Sequence, residues 1–364
     1  MKALTVGGAM IDTIAVIANE RVERMTMRNA DTSFLLLEEG RKSEAEDISI
    51  HCGGGAVNAA VALARLGHDV ASLIKLGQDA RAETILSRLA EEGVSTRYAL
   101  RDARKPTGAS VLVSAHDRNA AIFTFRGANT LLEPKDLKPD AFAADLVNVS
   151  SLSNESADCF PQIVERAKAA GALVATNPGI RQLSARQGPF RDVIGKIDIL
   201  ALTRHEAGAL VPWLMAQAGE GGRALELAPA DAMPDLARRG LVAGGFELSL
   251  AGFFTGLHKL GPRWVVVTDG RDGAYVSAPT GVVHCPAPVV RVAGTAGAGD
   301  AFNSTFAAGI AEGLGAEDAA IAAAANAASV LGHIDTQTGL LRKLDLESRV
   351  GMLRNTLKLT RWTL

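Results

Sequence analysis

VAGTAGAGDAFNSTFAAGI, residues 292–310, alternates glycine with alanine, places one carboxylate at Asp300 and then runs directly into a helical pattern. Phe302, Phe306 and Ile310 recur every four residues, the spacing of one helix face. The stretch resembles a phosphate-cradling loop but lacks the lysine that GxxxxGK loops carry. Two readings of Asp300 follow. In one it only caps the helix, accepting an N–H bond that stabilises by about 1 kcal/mol. In the other, the amides of Gly297, Ala298 and Gly299 stand at the positive helix end and hold developing negative charge. Asp300 then accepts a proton from an attacking hydroxyl. An ordinary low carboxylate pKa suffices for that role, because phosphoryl transfer depends on positioning and electrostatics.

GGGAVNAAVALARLG, residues 53–67, is a second glycine turn opening a helix. The pattern predicts a helix over 56–66, apolar nearly all round and therefore buried, with Gly67 closing it. Asn58 inside so apolar a helix needs a partner, since an unsatisfied buried amide costs about 1–3 kcal/mol; a bound polyol or nearby backbone would serve. Ahead of this turn, Thr5, Val6, Ile11, Thr13, Ile14 and Val16 favour an N-terminal strand. That strand and Asp12 argue against a cleaved signal peptide. Residues 106–126 alternate around a polar centre at 116–119, predicting a hairpin. From Asp145, strand and helix patterns alternate, which predicts parallel strands with crossover helices. Residues 212–255, rich in Gly, Ala and Pro, break that rhythm as an insertion. Two strands around a tight turn and an alanine-rich helix follow.

Composition limits the function classes. The chain has 364 residues, is 48% hydrophobic and carries a formal charge of −2. No basic block suits nucleic acid or a membrane surface, and no apolar run reaches the roughly 18 residues of a span. The three cysteines lack metal-ligand spacing and read as free thiols. The expectation is a cytoplasmic protein with no nucleic-acid or membrane partner, and a second copy of the chain as an open partner.

GTAGAGDAFNSTFAAG resembles the C-terminal signature of the PfkB (ribokinase-like) carbohydrate kinases, and GGGAVNAAVALARLG is similar to their N-terminal signature. The resemblance runs from Lys2 to about Gly339, excepting the insertion. It implies an α/β fold: a three-layer α/β/α kinase domain over residues 1–364, with a mostly parallel central sheet. A small β lid would come from about 13–51 and 106–126. It further implies transfer of the ATP γ-phosphate, with Mg2+, to a hydroxymethyl group of a small sugar or a nucleoside. Asp300 would be the general base, and Gly297, Ala298 and Gly299 would form the anion hole. Asp12, Gly54, Gly55 and Asn58 would bind the acceptor. VVVTDGRDGAYV, residues 265–276, resembles a TxGxxG segment and implies nucleotide contacts at Thr268, Gly270 and Gly273, with Asn326 near adenine.

Each of these positions also has a plainer reading: a strand-end turn for Asp12, a tight turn for the glycines, a satisfied polar residue for Asn58 and Asn326, and an Asp-Gly hairpin for Gly270 to Gly273. The chain departs from the family pattern in three places. The NxxE element reads TRHE, keeping Glu206 toward the metal but replacing the asparagine by Thr203. Gly294 and Ala296 replace an aspartate and a threonine that help build a monovalent-cation site in several relatives, so that site is not carried over. Gly55 and Val61 stand where sugar-phosphate kinases carry Lys and Arg, which favours a free sugar or nucleoside. Arg126 reads as a solvated strand-end charge, with a substrate carboxylate or phosphate as the alternative. Two other functions stay open: a non-catalytic ligand-binding relative, and a nicotinamide oxidoreductase suggested by VGGAM, which lacks the required glycine spacing and helix.

Overall fold

A computed structural model describes residues 1–17, 23–26, 33–36, 40, 42, 44–115, 120–218 and 233–364. Its centre is a ten-stranded sheet. The strand order is Thr360–Thr363, Gly281–Cys285, Ala274–Ala278, Trp264–Thr268, Ile199–Thr203, Leu173–Thr176, Leu146–Val149, Lys2–Val6, Asp69–Leu76, Ala99–Arg101. The seven strands from Trp264–Thr268 onward pair in parallel, and the first three antiparallel.

Alternation along each strand sends successive side chains to opposite faces. Leu4, Val6, Val147 and Val149 join one buried cluster with Phe160, Phe190, Phe253 and Phe254. Ala3 and Leu146 face the other, with Val57, Leu63, Phe302 and Phe306. Both faces of the parallel sheet are thus covered by helices, as crossover connections require. This is the expected α/β/α layering. The helix Ala298–Ala311, called the base helix below, packs tightly on the alanine-rich Ala316–Leu331. A Cβ added at Gly309 would lie 3.2 Å from the Ala319 Cβ. Small side chains let the two axes approach.

A second, four-stranded sheet has the order Asp47–Gly53, Met10–Ile17, Gly108–Ala115, Ala120–Phe125. It falls on the two segments expected to form the lid and is called the lid sheet below. The N-terminal run is not one strand: Lys2–Val6 ends in the central sheet, Gly7 turns the chain at φ 146°, and Met10–Ile17 starts the lid. Asp12 therefore belongs to a lid strand. Glu23–Thr26 and Ser33–Leu36 pair only with each other among the described residues. The polar centre at 116–119, and 18–22, 27–32, 37–39, 41 and 43 of the lid segment, lie outside the described residues.

The insertion is also shorter than expected. Residues 212–218 complete the helix Arg204–Ala218, which continues through Pro212. The helix Leu250–Leu260 buries Phe253, Phe254 and Leu257 in the core. Between them, Asp235–Arg239 forms a short helix. A hairpin, Leu241–Ala243 with Phe246–Leu248, turns at Gly244 and Gly245, both at positive φ. Residues 219–232 of the insertion lie outside the described residues. The helix at Asn58 spans Gly55–Arg65, one residue earlier than its pattern. The edge strand Thr360–Thr363 gave no sequence signal beyond Trp362, which stacks at 6.4 Å from the Tyr275 ring. Cys52, Cys159 and Cys285 are free and buried. No helix among the described residues is long and apolar enough to cross a membrane.

Because the two alanine-rich helices have no slack, Ala323→Leu should destabilise the fold by roughly 1–3 kcal/mol through overpacking; urea unfolding measures this.

Candidate functional site

Both signature glycine turns end at one place, and their neighbours explain the glycines. At Gly53 a Cβ would run into the Asp12 carboxylate. Gly54 has φ 95°, and a Cβ there would lie 2.5 Å from the Gly8 carbonyl oxygen. At Gly55 it would lie 2.7 Å from the Ser150 Cβ and 3.3 Å from Asp300 Oδ1. Three consecutive glycines thus let the helix start pass between two carboxylates and the end of the central strand Leu146–Val149. Asp12 and Asp300, 288 positions apart in sequence, flank the same turn.

The base helix is capped by Gly297 in the left-handed region, φ 81°, where a Cβ would meet the Thr336 Cβ at 2.7 Å. The amides of Ala298, Gly299 and Asp300 lie in the first helical turn, where intrahelical acceptors do not exist. Among the described residues none of the three donates elsewhere. Three N–H groups and the helix dipole therefore remain available to an anion, next to the Asp300 carboxylate.

Asn58 shows why these turns stay together. It is 3% exposed, and its Nδ2 donates to Asp300 Oδ2 at 2.8 Å. Its Oδ1 accepts from Thr336 Oγ1 at 2.9 Å and from Gln337 Nε2 at 3.2 Å. Arg88 Nε holds Gln337 Oε1 at 3.1 Å, and Arg65 Nη1 donates to the Gln337 carbonyl at 2.8 Å. Asn58 thus positions Asp300, with one of its two amide hydrogens given to that carboxylate.

Electrostatics corrects an expectation. Burial pushes the Asp300 carboxyl above its ordinary range; the Asn58 hydrogen bond opposes this, and the Asp12 and Glu206 charges add to it. Its pKa is therefore raised, not ordinary. Burial likewise raises Asp12, against the bond that Ser110 Oγ donates to Oδ1 and the charge of His51, its cross-strand neighbour.

On the nucleotide side, Thr268 ends its strand in register with Thr203 and donates to the Leu202 carbonyl at 3.5 Å. Gly270–Asp272 forms a 3-10 turn in place of a two-residue hairpin. Gly270, φ 55°, has open space where a Cβ would point. At Gly273, φ 98°, an added Cβ would run into the Cys285 carbonyl oxygen. Asn326 does not join them. It is fully buried, donates to Thr305 Oγ1 at 2.8 Å and accepts from the Leu341 amide at 2.9 Å. It is the satisfied core residue of the plainer reading.

Glu206 and Thr203 form a reciprocal cap on the helix Arg204–Ala218. The Thr203 amide donates to Glu206 Oε2 at 2.8 Å, and the Glu206 amide to Thr203 Oγ1 at 3.2 Å. A threonine thus caps as well as an asparagine would. Asn177, unmarked in the sequence reading, donates to the same Glu206 oxygen at 3.3 Å. No group of three or more potential metal ligands exists among the described residues. At the position of the missing aspartate, a Cβ on Gly294 would sit 2.9 and 3.0 Å from the His333 and Ile334 carbonyl oxygens. The backbone fills the space a side chain would need.

Comparisons with known proteins identify the family and agree with the fold. The family model described as pfkB family carbohydrate kinase matches residues 22–218 and 253–343. The gap between the matched segments coincides with the insertion. A deoxyribokinase of Salmonella typhi is 28% identical over 302 residues, 81% of this chain and 84% of its own length. The solved structure of Arabidopsis thaliana ribokinase complexed with ribose and ATP superposes at TM-score 0.71 with 21% identity, covering 96% of this chain and 98% of that one. An E. coli structure of a putative ribokinase II in complex with ATP and Mg2+ superposes at TM-score 0.71 with 16% identity, covering 96% and 99%.

Removing the Asn58 amide should free Asp300 from the bond that favours its charged form. In Asn58→Ala, the acid limb of the kcat/KM profile should move to higher pH and kcat near neutrality should fall about 10-fold or more. Steady-state rates across pH test this.

Proposed function

Given that the chain belongs to the pfkB family and is a carbohydrate kinase, we propose that it transfers the γ-phosphate of ATP to a primary hydroxyl of a small sugar, with Asp300 as general base. The observation that carries this reading is the placement of the Asp300 carboxylate beside three undonated amides, on the same glycine turn as Asp12. A nucleoside acceptor is the alternative within the family.

Asp12, held by Ser110, faces the acceptor's hydroxyls from the lid. Asn58 fixes Asp300 so that a free oxygen, Oδ1, is turned toward the Gly55 side of the turn. That oxygen takes the proton as the acceptor O–H bond breaks. The new O–P bond forms while the bond to the leaving ADP oxygen breaks. The amides of Ala298, Gly299 and Asp300 take up the charge on the phosphoryl oxygens without reorganising. Thr268 and Gly270 stand where they would border the nucleotide phosphates. The donor set fits Mg2+ arriving on ATP and not in a protein cage, and Glu206 would hold it together with waters and phosphate oxygens, the ligands Mg2+ keeps. Bound there, it would neutralise phosphate charge. Closure of the lid strands over Asp12 would exclude water from the transfer.

Two results would bear on this. Asp300→Asn should lower kcat by roughly 10²–10⁴-fold while ATP binding, followed by calorimetry, persists; unaltered turnover would remove the base role. The raised pKa of Asp300 also sets the sign of a stability change. A carboxyl whose folded pKa exceeds its unfolded one stabilises the fold below the unfolded pKa, and that contribution is lost as pH rises through the folded pKa. Asp300→Asn should therefore raise Tm at neutral pH, with the gain vanishing below about pH 4.

We further propose a homodimer through the lid's outer face. Ile48, Ile50, Val111, Phe123 and Phe125 share that face by register and are all exposed, Phe123 by 60%. An apolar sheet face of this kind marks an interaction surface. Sedimentation should find a dimer that Phe123→Asp dissociates; a monomeric wild type would remove the proposal.

A further inference from the structure

The lid strand Asp47–Gly53 alternates along its length. Ile48 and Ile50 are 65% and 66% exposed, whereas Ser49 and His51 are half-buried and face the other way. Ser49 Oγ and His51 Nε2 on that inward face are buried and have no hydrogen-bond partner. Ser49 stands opposite Ile14 in the antiparallel pair, but His51 stands opposite Asp12. Ser110 flanks Asp12 from the other neighbouring strand. Three polar side chains therefore form one row across the lid sheet, with the acid in the middle. Directly opposed residues bring their Cβ atoms to about 4.5–5.5 Å.

The row is only half satisfied. Ser110 Oγ donates to Asp12 Oδ1. Asp12 Oδ2 points at the Gly53 position and makes no hydrogen bond among the described residues. The charge of His51 acts on Asp12 and on Asp335 in the turn at 335–338, yet Nε2 bonds to neither. Asp335 is occupied otherwise, its Oδ1 accepting from the Gln337 and Thr338 amides at 2.8 Å each. His51 also borders a groove of about 630 Å³ at the lid edge, with Cys52, Arg88 and Asp335. That groove is wide enough for water, and Nε2 is nevertheless buried, so this nitrogen is turned away from it. A buried nitrogen without a partner costs about 1–3 kcal/mol, and the strand register puts it on the side of Asp12.

We infer that His51 is a second acceptor-binding residue: its Nε2 takes the hydroxyl next to the one that Asp12 Oδ2 takes, so that the site selects acceptors with an intact vicinal diol. This rests on the kinase reading above and narrows its substrate class. A carboxylate only accepts, whereas a neutral imidazole nitrogen donates or accepts according to its tautomer. Acid and imidazole side by side thus match two adjacent hydroxyls in either sense of the second bond. An analogue lacking one hydroxyl is rejected because it leaves the buried nitrogen unpaired.

The test compares D-ribose with 2-deoxy-D-ribose, adenosine with 2′-deoxyadenosine, and D-fructose with 3-deoxy-D-fructose, in wild type, His51→Ala and His51→Gln. The wild type should favour the intact member of at least one pair by roughly 10–100-fold in kcat/KM. His51→Ala should lose most of that factor through the KM of the intact member, with kcat little changed. His51→Gln, which keeps a nitrogen donor, should recover part of it. A role confined to holding the lid strand would weaken both members of a pair alike, and that result would overturn the inference. A wild type that takes the deoxy members as readily, or binds none of these compounds, would overturn it too, even if neither variant folds. Calorimetry without ATP keeps the two readings apart. Discrimination in binding without phosphoryl transfer would remove the kinase reading and leave the diol site standing; turnover without discrimination would do the reverse.

Discussion

The hydrogen bond from Asn58 to Asp300 joins two segments that are 242 residues apart. Each segment begins a helix at a glycine with positive φ, and each delivers a glycine turn that only works if the other is in place. The bond is made inside a largely dry cluster, where an unpaired amide or carboxylate would be costly. Thr336 and Gln337 complete it by occupying the Asn58 carbonyl oxygen. Three side chains therefore fix one carboxylate, and the glycines at 53–55 and 297 are the clearance that this arrangement demands.

That arrangement has an energetic tension. Burial and two further carboxylates oppose the charge on Asp300, while the Asn58 amide favours it. The site places a group that destabilises the fold in its ionised form at the point where the proposed chemistry needs an acceptor. The alanine-rich layer behind it, and the apolar clusters on both sheet faces, supply the stability that such a site consumes.

Much of the site was legible because short-range rules specify it. Glycine turns before helical patterns at 53–67 and 292–310 marked both helix starts, and resemblance to the family gave Asp300 and Asp12 their expected roles. The errors have physical causes. The N-terminal run was read as one strand because strand propensity says nothing about Gly7 turning the chain from one sheet into another. The insertion is narrower than its Gly, Ala and Pro content implies because the helix Arg204–Ala218 continues past Pro212. For Asn58 and Asn326 the resemblance implies ligand contacts, and only the fold supplies their protein partners, because a buried asparagine announces that it has partners but not which ones. Asn177, Thr336, Gln337 and Ser110 carry no local signal; each becomes visible only through the residue it touches.

The amino-acid order by itself determined the layered class, the two glycine turns and the acid that follows the second one, since these follow from periodicity and backbone freedom within a few residues. Only the folded chain decided that Asp12 and Asp300 flank one glycine turn, that Asn58 donates to Asp300, and that burial raises the acid's pKa. Those properties depend on what surrounds a side chain in three dimensions, and contacts between residues hundreds of positions apart leave no periodic trace in the sequence.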